Sequence, residues 1–375
     1  MPADRPTPLS VLDLVPIASG SNAHDAIHAS VELARAAEEW GYRRYWFAEH
    51  HLNPGVAGTS PAALIALAGA ATSSIRLGSA AVQMGHRTAL TTAEEFSLLA
   101  SAFPGRVDLG LGRSGGGPPQ DAAQPRTTTE VLDNGLILPP PFSFGAVARS
   151  PRFAMQKDLL LQPGAKPQPY GDQLADLLAL LDGRYVHGNG QRAALPGGRS
   201  DLQVWVHGSS AGESAQAAGR LGLRFGANYH VAPASVLEAV DAYRAAFKPS
   251  ADLAAPYVIV SADVVVAETA AAARELSAGY GPWVRSIRNG EGAIEFPSPS
   301  EARALPWTPE DDAMVADRVA TQFVGTPDRV AERLTQLRDA TGADELLVTT
   351  VTHDPADRLR SYQLLAKEWS QRGSA

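Results

Sequence analysis

The chain has 375 residues, of which 45% are hydrophobic and none is a cysteine, so it can bury a large core without disulfides. The absence of cysteine also excludes thiolate metal sites and cysteine nucleophiles. A net charge of −8 without a clustered basic segment argues against nucleic-acid partners. No apolar run is long enough for a membrane span or a secretory signal, and we therefore expect a cytoplasmic protein.

Short apolar runs alternate with helical patterns along the chain. An amphipathic segment from Asp25 to Trp40, closed by Gly41, is typical of a helix that ends at a glycine. The eight predicted strands are residues 10–17, 43–49, 75–83, 106–111, 203–207, 223–228, 257–267 and 345–352. A final helix is predicted over residues 355–372. This alternation predicts an α/β fold, a (β/α)8 TIM barrel, with an open doubly wound sheet as the structural alternative.

Two stretches rich in glycine and proline interrupt this rhythm after strands four and seven. They are residues 114–170 and residues 282–312, which we interpret as insertions within a single domain covering residues 1–375. Long loops in compact domains are usually functional covers or disordered segments. Residues 114–170 are therefore a predicted lid. Three aromatic side chains there would either cover an apolar substrate or pack on the barrel, namely Phe142, Phe144 and Phe153.

The second predicted strand carries the most informative residues of the chain. Its apolar run from Tyr45 ends abruptly in Glu49, His50 and His51. Ligands bind and chemistry occurs at the carboxyl ends of strands in α/β barrels and sheets. These side chains would otherwise be ordinary polar loop residues, but three adjacent titratable groups exceed what a loop needs.

The end of the fourth predicted strand has the formal spacing of a dinucleotide-binding loop. Residues 110–115 read GLGRSG, yet the residues that follow, Gly116 to Pro119, cannot open the helix that such a site requires. We therefore interpret the segment as a loop that carries Arg113. Its guanidinium is suited to bidentate binding of an anion, or is simply a solvated charge.

The fifth predicted strand is followed by a turn of small residues and then a helix. Ser209, Ser210 and Ser214 lie in this turn and at the helix start. Free backbone N–H groups and the helix dipole attract an anion there, and serine hydroxyls add donors. The alternative is a simple helix cap, since serine is a favoured capping residue. Three serines near Arg113 favour a phosphate site.

Several histidines fall at or just beyond predicted strand ends, where a metal-dependent hydrolase would hold its ion. They are His50, His207, His230 and His353. No H-x-H pair occurs in the chain, and the adjacent His50 and His51 would point to opposite faces of an extended segment. We therefore expect no metal site.

Together these features resemble the bacterial luciferase-like flavin monooxygenases, and in particular the branch that uses FMN. The resemblance covers nearly the whole chain and lies in the order of segments 49–51, 79–81, 105–113, 208–210 and 323–327. It implies a (β/α)8 barrel, usually dimeric, that binds flavin at the carboxyl ends of its strands.

The resemblance also implies roles for individual residues. His50 matches a base near the flavin. Glu49, whose carboxylate is expected to be buried, belongs to the same cofactor site. Ala80 and Ala81 match residues behind the isoalloxazine ring, and the peptide bond between them is expected to be cis. The residues that match the phosphate-binding groups are Arg113, Ser209, Ser210 and Ser214. One departure is Gly112, which stands where the luciferase catalytic subunit carries a cysteine, so neither an aldehyde substrate nor light emission is implied.

The resulting hypothesis is a monooxygenase that uses reduced FMN and molecular oxygen on a small organic substrate. No nicotinamide site is visible apart from the rejected fingerprint at residues 110–115, so we expect a separate NAD(P)H flavin reductase to supply reduced FMN. Three alternatives remain: a deazaflavin-dependent oxidoreductase on the same fold, a barrel metal hydrolase and a non-catalytic flavin-binding protein.

Overall fold

The computed structural model describes residues 7–113, 126–199 and 201–372. The strands are β1 (Leu9–Asp13), β2 (Arg44–Phe47), β3 (Arg76–Ser79), β4 (Val82–Gln83), β5 (Val107–Gly112), β6 (Glu130–Val131), β7 (Ile137–Leu138), β8 (Gln203–Gly208), β9 (Arg224–Asn228), β10 (Val258–Val266), β11 (Phe323–Gly325) and β12 (Glu345–Thr349).

The helices surround these strands. They are α1 (Ala23–Glu39), α2 (Pro61–Ala71), α3 (Ala89–Ala102), α4 (Gly145–Ala148), α5 (Pro151–Leu160), α6 (Tyr170–Leu181), α7 (Glu213–Arg220), α8 (Val236–Ala246), α9 (Ala270–Leu276), α10 (Tyr280–Arg288), α11 (Pro299–Ala304), α12 (Pro309–Thr321), α13 (Pro327–Thr341) and α14 (Pro355–Arg372). Within the described ranges, none combines the length and the apolar character needed to cross a bilayer.

Eight parallel strands close into a barrel, which confirms the predicted (β/α)8 fold. The strands pair in the order β12, β1, β2, β3, β5, β8, β9 and β10, and β10 pairs again with β12 to complete the ring. This last pairing excludes the open doubly wound sheet. The short strands β4 and β11 extend the barrel beside β5 and β10. Nearly all barrel-strand residues are buried, as expected for a parallel sheet covered by helices.

A buried charge network fills the end of the barrel where the strands begin. The Arg44 guanidinium on β2 contacts Asp108 at 2.7 Å and Glu345 at 3.0 Å, and Arg76 contacts Asp108 at 2.6 Å. Each charge there has an opposite partner, which is what burial of charge requires. This end is therefore closed by structural contacts.

The predicted third strand, residues 75–83, is divided in two. A cis peptide bond between Ala80 and Ala81 separates β3 from β4, and it confirms the predicted cis bond. The first strand is also shorter than predicted. It ends at Asp13 because Val15 has a left-handed backbone, with φ of 54°, and donates its N–H to the Asp13 carboxylate at 2.7 Å.

Both insertions contain regular structure. The described part of the first has the antiparallel hairpin β6–β7 followed by α4 and α5. Residues 282–312, predicted as a loop, hold most of α10, the whole of α11 and the start of α12. Pro299 and Pro309 suggested a loop, but each occupies the first turn of a helix behind a capping Ser298 or Thr308. Proline is favoured at that position because it has no N–H, and an N–H there would have no partner within the helix.

Candidate active site

The predicted site residues lie at one end of the barrel on four adjacent strands. Register pairs Phe47 of β2 with Ser79 of β3, and Gly112 of β5 with His207 of β8. The segments that follow these residues therefore leave the barrel side by side. They contain Glu49 and His50, the Ala80–Ala81 peptide, Arg113, and the serines around the start of α7.

The Glu49 carboxylate is the centre of a buried hydrogen-bonded cluster. Its Oε1 lies 2.8 Å from His51 Nε2 and 3.1 Å from His86 Nε2, and its Oε2 accepts the Gln83 N–H at 3.1 Å. Burial alone would raise its pKa, but hydrogen bonds from the two histidines and the nearby Arg87 outweigh burial and hold the pKa at about 2. Glu49 is therefore ionised and joins the end of β2 to the segment after β4.

Sequence reasoning missed His86, Gln83 and Arg87 in this cluster. All three follow the Ala80–Ala81 peptide in the chain, and they contact Glu49 from β4 and the segment after it. The Gln83 side-chain amide also donates to the Glu49 carbonyl at 2.7 Å. The only available signal was the presence of three polar side chains, Gln83, His86 and Arg87, at a predicted strand end, as in the Glu49 to His51 run on the neighbouring strand.

The same cluster is the one group of potential metal ligands within the described ranges. Ligand atoms of Glu49, His51 and His86 lie within 4.8 Å of one another. However, Arg87 Nε lies 3.8 Å from the same carboxylate oxygen, so a divalent cation there would face a guanidinium. We interpret the group as hydrogen-bonded. The strand-end histidines that suggested a hydrolase, such as His207 and His353, are not among these ligands.

His50 has the environment of a neutral imidazole. Its backbone N–H donates to the Gly58 carbonyl at 2.7 Å, whereas its buried ring Nδ1 has no partner among the described residues. Burial, followed by the neighbouring His51, lowers the pKa of His50 to about 4. The ring is therefore uncharged at neutral pH, and a neutral imidazole keeps one unprotonated nitrogen, as the predicted base requires.

Two more histidines lie inside the barrel below this position. The His207 ring fits between two glycines on the neighbouring strands. A Cβ on Gly110 would lie 2.8 Å from its Nε2, and one on Gly226 would lie 2.4 Å from its Nδ1. Burial lowers the pKa of His207 to about 4. His230 Nδ1 lies 2.5 Å from Ser261 Oγ, and burial, followed by Arg318, lowers its pKa to about 3. His207 and His230 are thus both neutral imidazoles.

The predicted phosphate site gathers around the start of α7. This helix begins at Glu213, and the residue before it, Gly212, provides no side-chain cap. The simple serine-cap alternative is therefore wrong, and the N–H groups of the first turn remain available for an anion. Arg113 reaches this position but is paired with Glu213, its Nη1 lying 3.2 Å from Oε2. This ion pair was not predicted from the sequence.

The three serines have different surroundings. Ser209 Oγ accepts from the Asn228 side chain at 3.1 Å, and Ser210 Oγ accepts the Gly212 N–H at 3.3 Å. Ser214 lies under Gly208 and is hydrogen-bonded to Tyr170. All three lie beside the helix start, but Ser214 also anchors the helix to α6. Residues 114–119, which decide how the Arg113 loop continues, lie outside the described residues.

The chain is similar to known proteins along nearly its whole length. Residues 7–130 and 174–345 match the model of the luciferase-like monooxygenase family. A luciferase-like monooxygenase of Escherichia coli K12 is 32% identical over 361 residues, which cover 96% of each chain. The crystal structure of apo-MsnO8 is 33% identical, covers 98% of each chain and has a TM-score of 0.76.

More distant solved structures share only the fold. The oxygenating constituent of 3,6-diketocamphane monooxygenase from the CAM plasmid of Pseudomonas putida, in complex with FMN, is 19% identical over 98% of each chain, with a TM-score of 0.66. The coenzyme F420-dependent tetrahydromethanopterin reductase of Methanopyrus kandleri is 16% identical over 99% of each chain, with a TM-score of 0.57. The fold alone therefore does not select the cofactor. Because the family model and relatives above 30% identity match along most of its length, the chain belongs to the luciferase-like monooxygenase family.

Proposed function

We propose that this chain is a flavin-dependent monooxygenase that uses reduced FMN and molecular oxygen to oxygenate a small organic substrate. The observation that carries the proposal is the joint position of three features at the carboxyl ends of the barrel strands. They are an uncapped helix start beside Arg113, a neutral His50 with a free ring nitrogen, and the small residues Ala80 and Ala81 between them.

The phosphate of FMN fits the start of α7. The first-turn N–H groups would bind phosphate oxygens with the favourable field of the helix dipole, and Ser209 and Ser210 would add hydroxyl donors. Arg113 would leave Glu213 and pair with the phosphate. The negative Glu213 carboxylate would repel the phosphate. Glu213 therefore weakens the site without preventing its use, because both side chains are more than a third exposed and free to turn.

The ring of FMN fits the other side of the barrel mouth. The small side chains of Ala80 and Ala81 leave the backbone accessible to a flat ring. Reduced FMN would supply the two electrons with which one atom of oxygen enters the substrate and the other leaves as water. His50 would accept or hold a proton at Nδ1 during this step. We propose that residues 114–170 act as a lid, which would exclude water from the reaction.

Flavin binding followed by absorbance spectroscopy tests this assignment. Purified protein is titrated with reduced and oxidised FMN, with riboflavin and with a deazaflavin, each with and without a divalent metal. We expect reduced FMN to bind without any metal and oxidised FMN to bind weakly. Selective binding of the deazaflavin would favour the hydride-transferring oxidoreductase, and a metal requirement would favour the hydrolase. Flavin that binds without any change in its reaction with oxygen would favour a non-catalytic binding protein.

We also propose that reduced FMN comes from a separate NAD(P)H flavin reductase. The dinucleotide-like fingerprint at residues 110–115 begins inside β5 and leads to Arg113, which points to α7. The chain alone, with NADH or NADPH and FMN, is expected to oxidise almost no nicotinamide. Rapid oxidation without an added reductase would show that the chain reduces its own flavin.

Finally, we propose a homodimer formed through α2 and α3. The outward residues of α2 are apolar, including Leu67, which is 50% exposed, and Leu98 on α3 is 71% exposed. A helix that is apolar on both its inward and outward faces favours burial against a second apolar surface. Light scattering is expected to give the mass of two chains, and substitution of Leu67 by arginine is expected to give the mass of one.

A further inference from the structure

The turn that follows the two active-site histidines has an unfavourable backbone conformation. Leu52 lies in the left-handed region with φ of 54°, although it is not a glycine. Its side chain is 43% exposed, so burial of that side chain does not explain the conformation. A left-handed leucine persists only where the surrounding structure imposes it. Contacts to the backbone of the turn must therefore hold it in place.

Arg152, on helix α5 of the first insertion, makes these contacts. Its Nη2 donates to the carbonyls of His51 at 3.2 Å and Leu52 at 2.9 Å, and its Nε donates to Leu52 at 3.1 Å. Nη2 also lies 2.8 Å from Asn53 Oδ1. A Cβ on Gly292 would lie 2.5 Å from the guanidinium carbon, so the loop of the second insertion closes over the arginine.

The attachment of α5 is polar rather than apolar. None of the residues of α5 is fully buried, and its apolar Phe153 and Leu160 are only half-buried, so little apolar surface holds the helix in place. Asn53 extends the same contact to the second insertion, because its Oδ1 accepts the Ala293 N–H at 2.8 Å. The turn, the start of α5 and the Gly292 loop thus meet at one guanidinium. Loss of that group would release α5 from the turn, and the turn would keep only its direct bonds to the second insertion, from the Ala293 N–H to Asn53 and from the Gly55 N–H to the Ala293 carbonyl.

We propose that Arg152 is a positioning residue, which holds the Leu52 turn so that His50 is correctly oriented only while the first insertion is docked on the barrel. This inference rests on the proposed function to the extent that His50 acts as the base. The charge of Arg152 is also close enough to His50 to contribute to its lowered pKa. Docking of the insertion and preparation of the candidate base are therefore coupled through one side chain.

Amide hydrogen exchange without any flavin tests the structural part of the proposal. Arg152→Gln removes the charge and its fork of donors, and Arg149→Gln makes the same change at an exposed arginine of the same insertion. Arg152→Gln is expected to speed exchange at least tenfold both in α5 and at the hydrogen-bonded N–H groups of His50 and Gly55. Arg149→Gln is expected to leave these rates unchanged. Faster exchange confined to α5, or equal rates in both variants, would overturn the proposal.

Rescue by glycine tests the mechanism. Glycine adopts the left-handed conformation without the penalty of a side chain, so Leu52→Gly should make the turn less dependent on Arg152. The double variant Leu52→Gly, Arg152→Gln is expected to recover at least half of the protection that Arg152→Gln loses at His50, measured on a logarithmic rate scale. No recovery would show that Arg152 does not act through the turn. Because this readout needs no cofactor, failure to bind FMN would refute the proposed function and leave the test of Arg152 intact.

Discussion

Arg113 and Glu213 are expected to have opposite effects on the affinity of the candidate phosphate site for FMN. Arg113→Ala removes a charge-assisted contact, typically about 1.5–3 kcal/mol, so FMN should bind roughly ten-fold or more weakly. Glu213→Gln removes the carboxylate that occupies Arg113 and repels the phosphate, so FMN should bind several-fold more tightly. Riboflavin, which has no phosphate, serves as the control and should bind almost equally to wild type and both variants.

Titration of reduced FMN and reduced riboflavin, followed by fluorescence under anaerobic conditions, checks both effects. If both ligands lose the same affinity in Arg113→Ala, the arginine does not bind the phosphate. If Glu213→Gln weakens FMN binding, the 3.2 Å ion pair is needed to orient Arg113 rather than competing for it.

His50 should act on the reaction rather than on flavin binding. His50→Ala is expected to keep flavin affinity within a few-fold and to slow the subsequent chemistry roughly 100-fold, the usual effect of losing a general base. The neutral form of His50 persists down to a pH of about 4, because burial lowers its pKa. Stopped-flow rates should therefore stay constant from neutral pH downward and fall only near that value. A decline near the pKa of an ordinary exposed histidine would assign the step to another group.

At the scale of elements, Gly110 of β5 and Gly226 of β9 leave room for the imidazole ring of His207, which lies between them. A methyl group at Gly226 would lie 2.4 Å from His207 Nδ1 in a fully buried environment. Gly226→Ala should therefore destabilise the protein by about 1–3 kcal/mol, as overpacking of a core does. Gly188→Ala is the matched control, since a methyl group there would meet no atom within 4 Å. Equal unfolding midpoints in a denaturant titration would show that His207 is not confined.

Most elements were predictable because their periodicity and end signals agree. The helix from Ala23 to Glu39 has the predicted glycine stop, and Gly41 has a φ of 82°. The limits of β1 and β3 were not predictable from hydrophobicity, since apolar residues continue beyond Asp13 and Ser79. In the second insertion, Pro299 and Pro309 indicated loops although each stands just inside a helix start. Proline is common both in loops and in the first turn of helices. Only the capping residues Ser298 and Thr308 indicate that these two prolines begin helices.

At the scale of the whole molecule, the barrel brings together residues that the sequence keeps apart. The position of His50 at a strand end was predictable from the apolar run before it. Its partners were not: Arg152 is about a hundred residues away, and its contact with the Leu52 turn depends on how the insertion folds back. The Arg113–Glu213 pair likewise joins the ends of two neighbouring strands. Local patterns therefore indicated candidate residues at strand ends, whereas their partners from distant segments, including His86, Arg152 and Glu213, became visible only in the closed fold.

The reaction of bound reduced FMN with oxygen tests the central claim most directly. Protein carrying one equivalent of reduced FMN is mixed with oxygenated buffer in a stopped-flow spectrometer, beside free reduced FMN. A monooxygenase must control this reaction, so we predict an additional absorbance phase before the spectrum of oxidised FMN appears, and its rate should change in His50→Ala. Reoxidation of the bound flavin with the single phase and rate of free FMN would contradict the account.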